Sequence, residues 1–124
     1  MLLKDFYKII TLEQTNAQQF RAIILVNENH DIFKGHFPGN PIMPGVCMMQ
    51  IIKELIENIT KSTVIVQSLS NVKFMALINP FATPELRFEL DITEEEDLVK
   101  VKNVSYFDET VALKLSTVYK KTGL

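Results

Sequence analysis

The sequence predicts an α+β fold, with one curved antiparallel β-sheet wrapped around a long central α-helix. Three observations lead there. From Val46 onward, Val46, Met49, Ile52, Leu55, Ile56 and Ile59 recur at three- and four-residue spacing, the period of a helix. This helix is apolar around most of its girth, and such a helix must be covered by other structure. The segments on either side have strand character, and short connections make the later strands antiparallel neighbours. A single sheet folded over a single helix is the simplest way to bury it.

The elements follow in order. Phe6 to Glu13 is rich in β-branched and aromatic residues and reads as a strand. Gln14 to Ala17 is polar and turn-like. Phe20, Ala22, Ile24 and Val26 alternate with Arg21, Ile23 and Leu25 in a second strand that forms a hairpin with the first. Asn27 to Asp31 is a polar connection, and His30 within it reads as a solvated surface residue. The helix is expected from near Gly45 to near Thr60, about 22 to 24 Å long at 1.5 Å per residue. Its polar residues Glu54, Glu57 and Asn58 crowd the second half, where water reaches it. A long strand is expected from Val64 with a bend through Ile78, stopped by Asn79-Pro80 and Thr83-Pro84. Glu85 to Ile92 then alternates without error, turning Leu86, Phe88, Leu90 and Ile92 inward. Glu94 to Asp97 reads as a solvated acidic turn. Leu98 to Tyr106 is the next strand, and a change in its apolar phase between Val101 and Val104 predicts a bulge near Asn103. Asp108 to Thr110 is a hairpin turn, and a last strand carries Val111, Leu113 and Leu115 and ends by Lys120.

Bulk properties narrow the function classes. The 124 residues fit one domain spanning positions 1–124. With 13 basic and 15 acidic residues the net charge is −2, which leaves no electrostatic footprint for nucleic acid. No apolar run approaches the roughly 18 residues needed to span a bilayer. Met1 to Asp5 does not read as a secretory signal, because Lys4 and Asp5 interrupt the apolar start. The one cysteine has no internal disulfide partner. A cytoplasmic protein, bound to neither membrane nor nucleic acid, is the expectation.

The stretch from Gly35 to Gln50 carries the chemistry. It holds three of the four glycines and three of the five prolines, so residues 35 to 45 form a stiff loop that feeds the helix. One imidazole, His36, sits in it. His36-Phe37-Pro38-Gly39, Pro41 and Pro44-Gly45-Val46 together resemble the signature of the β-hydroxyacyl-acyl-carrier-protein dehydratases, which have the hot-dog fold. Val72-Lys73-Phe74, Pro80 and the Leu86 strand are also similar to that family, so the resemblance extends over residues 6 to 120. It implies that His36 is catalytic and that the residue fourteen positions later, on the helix, is its partner. That partner is a carboxylate in the family and Gln50 here. The resemblance also implies an acyl-carrier-protein thioester as substrate. The site would be shared across a homodimer, or a higher assembly of dimers, with His36 of one copy facing Gln50 of the other. The family carries a longer N-terminal segment with an aromatic-proline stretch, expected here to be missing or built otherwise.

Elimination of water from a 3-hydroxyacyl thioester needs a base at C2, an acid at the C3 hydroxyl and donors for the thioester oxygen. Histidine, with an unperturbed pKa of about 6.5, can serve as the base; a structural role inside the loop is its alternative. Gln50 can hold the hydroxyl or a water, but an amide does not exchange a proton near neutral pH. Gly45 lets an acyl carbonyl approach the unpaired N–H groups of the helix start. Phe37, Met43 and Met49 are candidates to line an acyl channel, as is Met48, and ordinary core packing is their alternative. Glu54, one turn beyond Gln50, is a weaker candidate for a displaced carboxylate, since about 6 Å of axial offset separates the two positions; a solvated helix residue is its plainer reading. Cys47 reads as an inert core thiol. No metal ligand set and no cofactor is expected. The leading expectation is therefore a 3-hydroxyacyl-carrier-protein dehydratase of fatty acid or polyketide-type biosynthesis. A catalytically weak hot-dog subunit that binds carrier protein or pairs with an active paralogue is the alternative, with a thioesterase behind both.

Overall fold

The computed structural model describes residues 5–34 and 42–122. Six strands form one antiparallel sheet: β1 (Tyr7–Gln14), β2 (Gln19–Val26), β3 (Val64–Phe74), β4 (Glu85–Glu95), β5 (Leu98–Phe107) and β6 (Thr110–Lys121). A short 3-10 turn covers Asp31–Phe33, and the single described helix, α1, spans Gly45–Thr60. The strand order is β1-β2-β4-β5-β6-β3, so β1 and β3 are the two edges.

The expected α+β architecture is the one observed, with α1 seated on the inner face of the sheet. Cys47, Met48, Ile51, Ile52, Leu55 and Ile56 of α1 are buried against Ala22, Ile24, Leu86, Phe88, Leu90, Val99, Val101 and Leu115 from the strands. The burial follows from the periods. Leu86, Phe88, Leu90 and Ile92 point inward along β4, two residues apart, as the alternation requires. Val46, the first residue of the helical apolar pattern, is instead 70% exposed. The buried stripe starts one residue later, at Cys47. The helix ends at Lys61, whose backbone is left-handed at φ 57°, a conformation that terminates helices by turning the chain out of the α region.

Several expectations for the strands change. β3 stops at Phe74 rather than running on to Ile78. Its ladder with β6 slips between Val66 and Ser68 and again between Ser70 and Lys73, the latter around Asn71 at φ 53°. The backbone N–H groups of Met75 and Ala76 then both donate to the Ala112 carbonyl, at 2.8 and 3.3 Å, so regular pairing is over. β3 also lies beside β6 and not beside its sequence neighbour β4, while β4 pairs with β2. No bulge occurs at Asn103: β4 and β5 pair residue for residue from Arg87–Tyr106 to Glu95–Leu98. Asn103 is simply buried, on the same face as Val99 and Val101. The irregularity of β5 lies between Ser105 and Tyr106, against β6. Glu94 and Glu95 of the expected acidic turn are strand residues, and the turn itself is Glu96-Asp97. Among the described residues, no helix is long and apolar enough to cross a membrane.

Candidate active site

The helix start is built by the chain on both sides of it. Pro44 occupies the N-cap at φ −64° and ψ 140° and makes no side-chain cap. Its carbonyl accepts from the backbone N–H groups of Cys47 and Met48, at 3.0 and 3.2 Å. The first turn contains no acidic residue, so nothing in it offsets the positive end of the helix. Just upstream, the Met43 N–H donates to the Ile78 carbonyl at 2.9 Å, which pins the entry to the helix against the segment after β3.

An apolar cavity of about 280 Å³ opens there, with Met43, Gly45, Met48, Phe74, Leu77 and Leu113 in its wall. Gly45 makes room for its neighbour. A Cβ at that position would lie 2.7 Å from Cζ and 2.9 Å from Cε1 of the Phe74 ring, closer than carbons approach. The missing side chain is what allows the ring to lie across the helix start.

A polar cluster occupies the other side of α1. Gln50 donates from Nε2 to Glu54 Oε2 at 2.9 Å. The Tyr7 hydroxyl donates to Glu54 Oε1 at 2.8 Å. Burial, and secondarily the Glu54 carboxylate, push the Tyr7 hydroxyl well above its ordinary pKa, so it remains a donor. Glu54 is thus half-buried and bonded at both oxygens, not the solvated residue expected from the helical pattern.

The predicted site residues divide into three groups. Met43 and Gly45 share the cavity. Gln50 lies outside it, with the Glu54–Tyr7 pair, and Met49 is half-buried against the core and does not line the cavity. His36 and Phe37 lie outside the described residues. Cys47 is fully buried, and desolvation pushes its thiol up, as an inert core cysteine requires. His30 departs from the surface reading. It is half-buried, its Nδ1 accepts from the Ile32 N–H at 3.1 Å as the cap of the 3-10 turn, and its ring packs edge-on to Phe6 at 5.2 Å. Sequence reasoning missed Tyr7 and Phe74 as site neighbours. Val72-Lys73-Phe74 was visible as part of the resemblance, whereas nothing local marks Tyr7.

Comparison with known proteins settles the family. The ApeI-like model, described as ApeI dehydratase, matches residues 12–113. The chain belongs to the ApeI-like dehydratase family. Curated relatives of this ApeI-like chain include the 3-hydroxyacyl-acyl-carrier-protein dehydratase FabZ of Caulobacter sp. strain K31, 30% identical over 105 residues, covering 77% of this chain and 63% of the relative. The FabZ of Wolbachia pipientis wMel is 37% identical over 79 residues, covering 56% and 53%. The chain thus spans between about half and two-thirds of the length of these two relatives. Among solved structures, the dehydratase heterocomplex ApeI:P from Xenorhabdus doucetiae superposes with a TM-score of 0.72 at 20% identity, over 91% of this chain and 96% of that one. A putative thioesterase from Lactococcus lactis superposes at 0.70 with 11% identity, over 99% and 98%. At these identities the likeness is one of fold, and the fold is the hot-dog.

Proposed function

We propose that the chain is a cytoplasmic dehydratase that removes water from 3-hydroxyacyl thioesters carried on acyl carrier protein, giving trans-2-enoyl thioesters in fatty acid or polyketide-type biosynthesis. The observation that carries the reading is the family match across residues 12–113, a span that contains the whole loop-and-helix stretch from His36 to Gln50. Neutral His36 takes the C2 proton, and the electrons of that bond move toward the thioester carbonyl. Backbone N–H groups at Gly45 and the uncapped helix start stabilise the oxygen. The C3–O bond breaks, and the departing hydroxide receives the proton back from the His36 imidazolium, so that water leaves and no net proton is consumed. Gln50 holds the hydroxyl. The acyl chain enters the cavity beside Met43 and Gly45; Phe37 and Met49 are the remaining candidate lining residues.

A site shared between two copies fits the separation within one copy. The cavity is walled by the β3 side of the sheet and Gln50 is tied to β1, and these are opposite edges. The β3 edge exposes Ile65, Val66 and Leu69, a surface suited to a second copy of this chain.

A second reading is favoured by Gln50 itself. General acid assistance typically contributes about 10²- to 10⁴-fold, and an amide does not supply it. The chain would then be a weak subunit that binds carrier protein or pairs with an active paralogue. One assay separates the two: incubate the purified protein with a 3-hydroxyacyl carrier-protein thioester and follow the enoyl product. Turnover that His36→Ala abolishes is expected. No turnover in the wild type but a gain in Gln50→Glu would establish the silent subunit. Release of free carrier thiol would mark a thioesterase, and full turnover in His36→Ala would remove His36 as the base.

A further inference from the structure

We infer that Glu54 and Tyr7 are positioning residues that lock the Gln50 side chain so that its amide oxygen, not its nitrogen, meets the leaving hydroxyl. The inference rests on the dehydratase reading and adds to it how a site without a carboxylate at Gln50 still controls its leaving group.

An ionised carboxylate only accepts hydrogen bonds. The end of the Gln50 amide that lies 2.9 Å from Glu54 Oε2 must therefore be its nitrogen, and the oxygen is turned the other way. No described residue donates to that oxygen. Glu54 does not swing freely to allow the opposite arrangement, because Tyr7 on β1 holds its other oxygen at 2.8 Å. The Tyr7 bond joins a strand residue to a helix residue 47 positions away, so the orientation is imposed by the fold as well as by the i, i+4 bond within the helix. A bond to a charged acceptor is also stronger than one between neutral groups, and drawing on the amide N–H makes its carbonyl oxygen a better acceptor. The C3 hydroxyl would give its hydrogen to Gln50 Oε1, leaving an oxygen lone pair directed at the group that delivers the proton. Gln50 thereby sets geometry, and the proton comes from elsewhere.

Kinetics on a 3-hydroxydecanoyl carrier-protein thioester, with a double-mutant cycle, test this. Glu54→Ala is expected to lower kcat about tenfold while KM stays within about twofold, with Tyr7→Phe showing a smaller loss and Glu54→Asp a partial rescue. In a Gln50→Ala background both losses should vanish, since there is no amide left to orient. Equal losses in that background would overturn the inference, because Glu54 and Tyr7 would then act on the fold alone. A second measurement needs no turnover: the side-chain amide resonances of Gln50 in the wild type and in Glu54→Ala. A displaced N–H signal in the wild type that returns to the ordinary position in the variant supports the locked amide even if the protein proves inactive, an outcome that sinks only the dehydratase reading. Unchanged signals between the two proteins overturn the lock.

Discussion

Asn103 and Ser105 show how far single residues can depart from a hydropathy pattern. Both are buried on the inner face of β5. Asn103 Nδ2 donates to the Glu89 carbonyl at 3.2 Å, and Ser105 Oγ donates to Asn103 Oδ1 at 2.7 Å, so polar groups take two positions in an otherwise apolar row. Ser105→Ala should leave Asn103 Oδ1 without that donor and cost about 1–3 kcal/mol, read as a lower urea midpoint with an unchanged slope; an unshifted midpoint would mean that the Ser105 bond contributes nothing. The same pair explains the misplaced bulge. A pattern reader treats Asn as outward-facing and must slip the register to keep the valines inside, whereas the hydrogen bonds let the register run straight. Gln50 and Glu54 are legible as i, i+4 neighbours. Tyr7 is not, because its contact with them exists only once β1 has docked beside the helix.

At the scale of elements, α1 was legible, with a start expected near Gly45 and an end near Thr60 where the structure has them. Pro44 and Gly45 mark its start and the helical period carries it to Thr60. The end of β3 was not legible, because the shared Ala112 carbonyl that ends its pairing belongs to β6. The contact between Gly45 and Phe74 joins these two elements and makes a sharp test. Gly45→Ala gains helix propensity of up to about 1 kcal/mol but drives the Phe74 ring away from the helix start. The ring is 55% exposed and can swing outward, so the thermal midpoint should move little. The cavity loses part of its wall, and KM for long acyl chains should rise severalfold. Phe74→Leu in the same background should recover part of that loss; a collapse in stability with KM unchanged would show instead that the ring is fixed.

For the whole molecule, the described sheet ends in two edges, and β3 exposes more large apolar side chains, Ile65, Val66 and Leu69, than β1 does with Ile9 and Ile10. Long exposed apolar edges invite pairing with another chain, which makes this edge the place to separate assembly from folding. Leu69→Lys is expected to yield a monomer by sedimentation with an unchanged far-ultraviolet spectrum, and to lose turnover together with assembly. Full turnover from that monomer would mean that one copy holds a complete site. The position of β3 also bears on biosynthesis. Its described neighbour is β6, and the chain between them contributes β4 and β5 before β6 appears. During translation, the greasy helix and this strand emerge early and wait for a late arrival to cover them. Emergence of β6, not of any earlier segment, is therefore the step at which the sheet can close along β3.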